Sequence, residues 1–267
     1  MQAQPVILTP GIQQPIAIAE LLKDKTLDDE SALAVQVFAL LKDLIIRVKL
    51  YPGQLISEKE VAETLKASKT PVREAMIRLQ GIGLVEIVPK SGTYVTPIHI
   101  TRYIEACFVR LQLEVGAVRR AADKQNSWES ILKMESILRQ QAAALNAGEK
   151  LEFFRLDEAL HKAFFDAAGV SGVWDVVKDS QADVYRVRHL KRMHGIRREG
   201  AVLNEHKAIV AAIRSGSAND AEKAMIDHIG SLEQEVEELA SHANLLNFIE
   251  VLNNSANQKG RQARRAG

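Results

Sequence analysis

Residues Leu55 to Val95, LISEKEVAETLKASKTPVREAMIRLQGIGLVEIVPKSGTYV, decide the fold. They describe a helix, a tight turn, a second helix and a two-stranded ribbon. Ser57 followed three residues later by Glu60 forms a capping box, which starts the first helix at Glu58 and turns Val61, Ala62 and Leu65 inward. Ala67 and Ser68 break the apolar rhythm, and Thr70-Pro71 restarts it, because Thr is a good N-cap and Pro at the first helical position forfeits no needed hydrogen bond. The second helix is expected from Pro71 to about Gln80, burying Val72, Ala75, Met76 and Leu79. Beyond Gly81 and Gly83, Leu84 to Val88 reads as a strand, Pro89 to Gly92 as a turn and Thr93 to Thr96 as the returning strand. This is the plan of a winged helix-turn-helix.

Off the buried stripe of the second helix lie Lys69, Thr70 and Arg73, where a recognition helix brings its N-terminal residues to base edges. Lys59 starts the first helix, and Lys90, Ser91 and Gly92 form the wing tip. From Ser57 to Gly92 there are six basic and five acidic residues, so placement rather than total charge favours DNA; without the strand-turn-strand that follows, solvated helix charges would be the better reading.

The run SKTPVREAMIRLQGIGLVEIVPKSGTYV resembles the DNA-binding domain of the GntR family of bacterial transcription regulators. The helical remainder is similar to that family's FadR-type branch with its FCD ligand domain, and the resemblance spans roughly Ser31 to Leu245. Lys69 stands where the family usually has Arg, and a lysine cannot make the same bidentate fork to guanine.

Working outward, the spacing of Leu33, Val37, Leu40, Leu41, Leu44 and Ile45 predicts an amphipathic helix before the motif, stopped by Tyr51-Pro52-Gly53. Residues 1–30, with Pro5, Pro10 and Pro15, read as a mobile arm in which Ile16 to Leu22 could form a turn or two of helix. The winged module is assigned to 31–97, a helical effector-binding and dimerisation domain to 101–252, and a disordered basic tail to 253–267. Helices are expected at 101–123, 127–147, 149–168, 171–192, 201–215 and 218–250, with no convincing strand among them. The fold class is therefore mainly α: three helices and a β-ribbon wing, followed by an all-α antiparallel bundle.

The 267 residues carry a net charge of +1, with 46% hydrophobic and 26% charged residues, which is ordinary for a globular chain with a real core. No apolar run reaches membrane-span length and no signal peptide opens the chain, so no membrane association and a cytoplasmic location are expected. The single cysteine, Cys107, excludes an intrachain disulfide and a zinc-thiolate cluster, and its apolar neighbours suggest a buried, inert thiol.

Chemistry concentrates in the helical part. Asp157 and His161 are four residues apart, one turn on one helix face, which suits two ligands of one ion. His206 and His228 lie on successive helices that an antiparallel bundle brings level. By spacing alone, each of these is more often a satisfied core or rim residue than a ligand. One carboxylate and three imidazoles suit zinc, nickel, iron or manganese, with a position left for water or a substrate oxygen. The resemblance implies that Asp157, His161, His206 and His228 hold a divalent metal ion, since the family's ligands occur in this order. It also implies that Arg110 points into a ligand cavity, where it would pair with a carboxylate metabolite. Spacing alone allows a surface Arg110–Glu114 pair equally well. Arg186 and Arg188 are weaker candidates, and His99, His189, His194 and His242 read as ordinary surface residues.

Three functions fit: a dimeric, ligand-responsive regulator, expected to repress from a pseudo-palindromic double-stranded operator; a metalloenzyme using the Asp/His site; and a direct metal sensor. No HExxH or comparable signature supplies the general base an enzyme would need, and the regulator reading, with no catalytic residues, is preferred.

Overall fold

The computed structural model describes residues 15–28, 31–124, 128–196 and 198–265 and divides the chain into two compact units. Unit 1 gathers residues 1–100, 181–196 and 239–267; unit 2 holds 101–180 and 197–238. Each has its own hydrophobic core.

Unit 1 is built on α1 (Ile18–Leu22), α2 (Leu33–Ile46), α3 (Glu58–Thr64) and α4 (Lys69–Gly81), with strands β1 (Leu55–Ile56), β2 (Val85–Val88) and β3 (Gly92–Val95). The Ser57 side chain accepts a hydrogen bond from the Glu60 amide at 3.2 Å, so α3 starts where the capping signal places it. The reciprocal half of the box is absent, because Glu60 Oε1 instead accepts from the Ala19 amide at 3.3 Å. Val72, Ala75, Met76 and Leu79 form the buried face of α4 as expected. Its start differs: Ser68, in extended conformation, is the N-cap, which puts Pro71 at the third helical position, where a backbone N–H still lacks an intrahelical acceptor.

The wing is a three-stranded antiparallel sheet of order β1-β3-β2, not a two-stranded ribbon. The added strand is two residues long, too short to show alternation in a sequence. Gly92 opens β3 at φ 139°, where a β-carbon would strike the Leu55 side chain.

Part of the expected arm is anchored. Ile18 and Leu22 are buried in the unit 1 core, and Gln54 Nε2 donates to the Ile16 carbonyl at 2.7 Å. The rest of that expectation, residues 1–14 and 29–30, lies outside the described residues.

Two further helices belong to unit 1 although periodicity assigned them to the bundle: α9 (Ala182–Met193) and α13 (Ala243–Arg265). Periodicity shows that a helix buries one face, not what it buries that face against. The helix expected over 171–192 breaks at Gln181, separating α9 from α8 (Val173–Ser180) of unit 2. α9 packs on α2, with Lys42 Nζ 4.9 Å from the Tyr185 ring centre. Arg186, 2% exposed, pairs with Asp183 and donates to the carbonyls of Thr96 (2.7 Å) and Pro97 (3.0 Å) where the chain leaves the wing. The same exit is held by Asn253, whose amide brackets Ile98 with bonds of 2.9 and 2.8 Å. The stretch expected as a disordered tail therefore starts with a fixed residue, and α13 carries its backbone to Arg265; once Leu245, Phe248, Ile249 and Leu252 have docked the helix, each added turn costs little.

His189 and His194 are half-buried rather than surface residues. His189 Nδ1 accepts from Arg192 at 3.2 Å, and burial together with Arg192, Arg47 and Lys49 pushes its pKa down to about 4. His194 lies against Phe248, with ring centres 5.3 Å apart.

Unit 2 comprises α5 (Ile100–Asp123, entering from Thr101), α6 (Trp128–Ala147), α7 (Lys150–Ala168), α8, α10 (Glu199–Ser215), α11 (Ala218–Ile229) and α12 (Leu232–Ser241, up to Glu238). The helix expected over 218–250 is three helices, interrupted at Gly230, whose φ of 87° ends α11, and at His242. α6 packs against α7 and α10, and α10 against α11. Cys107 is half-buried on α5, so it is not the fully buried thiol that its neighbours suggested. Among the described residues no helix is long and apolar enough to cross a membrane.

Candidate metal centre and nucleic-acid interface

The apolar stripes of α5, α7, α10 and α11 carry five ionisable residues into the interior of unit 2: Arg110 and Glu114, then His161, His206 and His228, all at most 3% exposed. One ring nitrogen from each histidine lies within 4.8 Å of the other two. Asp157, 7% exposed, stands beside this trio with Oδ1 3.5 Å from His206 Nε2. The sequence-selected residues thus converge, with the carboxylate next to the imidazole trio rather than inside it.

The other ring nitrogens decide what the trio can do. His161 Nδ1 bonds Glu114, His206 Nδ1 bonds Gln141 Oε1 at 2.9 Å and His228 Nδ1 bonds Glu205 Oε2 at 2.9 Å. All three partners are acceptors, so each Nδ1 carries the proton and each Nε2 presents a lone pair. His161 Nε2 and His228 Nε2 then face one another at 3.2 Å, a repulsive approach unless a cation or proton lies between them. His206 Nε2 is buried without a hydrogen-bond partner. Burial, with His161 and Arg110 adding to it against Asp157 and Glu114, lowers the His206 pKa to about 3, so this imidazole stays a neutral donor. Histidines oriented by outer hydrogen bonds are the usual support of a metal site, and these donors fit a borderline divalent ion.

The Arg110–Glu114 pair allowed by spacing exists, but it is buried: Nε donates to Oε1 at 2.6 Å. Burial would raise the Glu114 pKa, yet Arg110 and His161 outweigh it and hold the carboxyl at about 2. Arg110 Nη2 also donates to His161 Nε2 at 2.8 Å. Arg186, the alternative anion-pairing candidate, is occupied in unit 1 as described.

Gln141 and Glu205 were not singled out by sequence. Gln141 was legible, as a polar residue on the apolar stripe of α6 between Leu138 and Ala144. Glu205 carried no comparable signal; its other oxygen accepts from Arg198 at 2.8 Å.

In unit 1, Lys69, Thr70 and Arg73 are exposed along the first turns of α4, and Lys59 is exposed on α3 with Glu63 at 3.8 Å. Lys90 and Ser91 form the exposed wing tip, Lys90 in the left-handed region at φ 62°, with Ser91 Oγ 2.8 Å from the Tyr94 hydroxyl. Gly92 shapes the wing more than it presents a contact. Arg73 is held against α3: its Nη2 and Nε reach the two Glu58 oxygens at 3.0 and 3.4 Å.

Residues 33–95 match the model of bacterial regulatory proteins of the gntR family, and residues 105–231 match the FCD domain. The HTH-type transcriptional repressor RspR of Escherichia coli is 30% identical over 76% of this chain and 89% of its own length. An HTH-type transcriptional regulator from an unstable DNA locus of Streptomyces ambofaciens is 28% identical over 78% of this chain and 86% of its own. Among solved structures, E. coli McbR/YncC superposes with a TM-score of 0.66 at 18% identity, covering 80% of this chain and 99% of that one, a likeness of fold.

Proposed function

Because this chain belongs to the GntR family of bacterial regulatory proteins, with an FCD domain behind its winged module, and is a DNA-binding transcription regulator rather than an enzyme, we propose that its DNA affinity is set by a small organic acid bound beside a divalent metal ion in unit 2. The observation that carries this reading is the set of three Nδ1–H anchors on Glu114, Gln141 and Glu205, which aim three Nε2 lone pairs at one another. His161, His206 and His228 would hold the ion with Asp157 as the neighbouring carboxylate; zinc or nickel suits the donors best, manganese or iron next. When bound, the ion supplies a Lewis-acidic, doubly charged centre for an anion. The lone pair of His161 Nε2 cannot serve both the ion and Arg110, so the Nη2 donor of Arg110 becomes available to a ligand carboxylate.

In unit 1, Lys69, Thr70 and Arg73 read base edges while Lys59, Lys90 and Ser91 follow the phosphates, with Gly92 shaping the wing that carries the last two. One module makes too few base contacts for a useful specificity ratio, so the protein acts in the cytoplasm as a homodimer on a pseudo-palindromic operator, as a repressor. An acid that binds one arrangement of the helices carrying His206 and His228 better than another shifts DNA affinity by that difference.

A thermal-shift screen of mono- and dicarboxylic acids against metal-loaded protein tests this. An acid at a hundred times its Kd adds about 2.7 kcal/mol, or roughly 5–10 °C in Tm for a chain of this size, and the same acid should change the mobility shift of a selected duplex. If metal alone changes DNA binding and no acid adds to it, the protein is a direct metal sensor instead. Glu205→Ala, which leaves all four proposed ligands in place, should weaken metal binding about 10–100-fold by calorimetric titration; unchanged affinity would separate Glu205 from the site.

A further inference from the structure

The contact between Arg73 and Glu58 has a specific geometry. Glu58, the first residue of α3, takes the Nε and Nη2 side of the guanidinium carried by the neighbouring helix α4. Arginine has five N–H donors. Two are turned to the carboxylate, which leaves one Nη1 donor and the second Nη2 donor side by side along the outer edge. That outer edge offers the two parallel donors that a two-pronged contact with guanine O6 and N7 needs. The Arg73 side chain is 62% exposed while that of Glu58 is 29% exposed, so the arginine is accessible and its holder is partly sheltered. The hydrogen bond and charge of Glu58 raise the Arg73 pKa above the ordinary arginine value.

We infer that Glu58 is a positioning residue for sequence readout: it fixes the rotamer of Arg73 with its outer edge facing the groove and offsets the guanidinium charge against indiscriminate phosphate binding. This rests on the reading that Arg73 contacts a base. Two consequences follow from one carboxylate. Holding a long side chain in its bound rotamer removes an ordering cost from specific binding. A negative charge close to the duplex lowers non-specific affinity, which is almost wholly electrostatic. Arginine supplies the contact and glutamate supplies the discrimination.

The experiment uses the full-length protein, a consensus duplex that it recovers from a randomised pool, and a scrambled duplex of equal composition. Glu58→Ala should weaken consensus binding about three- to tenfold, the value of fixing one flexible side chain, and strengthen scrambled-duplex binding with a steeper salt dependence. Glu58→Gln, which keeps an acceptor for Arg73 without the charge, should preserve most consensus affinity yet still strengthen scrambled binding. Arg73→Ala alone should lower consensus affinity about tenfold to a hundredfold and scrambled affinity little, and adding Glu58→Ala to it should cause no further loss on the consensus. A further loss in the Arg73→Ala background, or an equal gain on both duplexes in Glu58→Ala, would overturn the positioning role alone. Equal weakening of both duplexes by Arg73→Ala would make Arg73 a phosphate contact and overturn the base-reading premise as well. Melting curves that match the parent establish that each variant is folded.

Discussion

Alanine at both His206 and His228 is expected to lower divalent-metal affinity more than about a thousandfold, since an outer partner alone is worth about 10–100-fold and these two residues are direct donors in the proposed site. The two imidazoles come from α10 and α11, and only His161 and Asp157, both on α7, would remain. Response to the organic acid should disappear with the metal, while basal DNA binding, which depends on unit 1, persists. Metal content after gel filtration, acid-dependent Tm and mobility shift are read separately. Because both side chains are buried, the double replacement opens space in the core; His206→Gln alone nearly preserves volume and should also lose metal affinity, though less. A metal-free double variant that still answers to the acid would refute the mechanism.

Arg186→Met should destabilise unit 1 by about 3–5 kcal/mol, the usual cost of removing one partner from a buried ion pair. Asp183 is 5% exposed and would be left as an uncompensated carboxylate, and the carbonyls of Thr96 and Pro97 would lose their donor. At roughly 2–4 °C per kcal/mol for a chain of this length, Tm falls by about 6–20 °C. Adding Asp183→Leu should recover much of the loss, because an apolar pair replaces the stranded charge. A loss below about 1 kcal/mol in the single variant would mean that α9 is not held by this pair.

The elements that sequence displayed best are those whose signals are local. Ser57 caps α3 through a side-chain bond within one turn, and Val72, Ala75, Met76 and Leu79 share one face of α4; both are written in short-range spacing. The family resemblance is borne out by matches to both domains. The three histidines were legible as a set only through that resemblance, since nothing in their spacing states which side of its helix each presents. Glu205 was invisible because its role depends on a partner 23 residues away on the next helix. The placement of α9 and α13 failed for a related reason: Val184, Val187 and Leu190 announce a buried face, while only the tertiary fold brings α9 to α2. Asn253 looked like polar tail because its two bonds reach back 155 residues.

The discontinuity of unit 1 has a consequence for the order of events during translation. Its winged segment is complete by residue 100, but α9 is not made until residue 193, and α13 comes at the end of the chain. At about 5–20 residues per second, the ribosome needs roughly 5–20 s to bridge the first of these gaps. During that interval the face of α2 that receives α9, and the carbonyls of Thr96 and Pro97 that Arg186 takes, have no partner from downstream. A chain stalled or cleaved between residues 101 and 180 thus carries the whole of the gntR-matched sequence, residues 33–95, without α9 and α13, which brace the exit of its wing. Because α13 follows His228 along the chain, unit 1 is finished only in a molecule that already contains all four residues proposed to hold the metal.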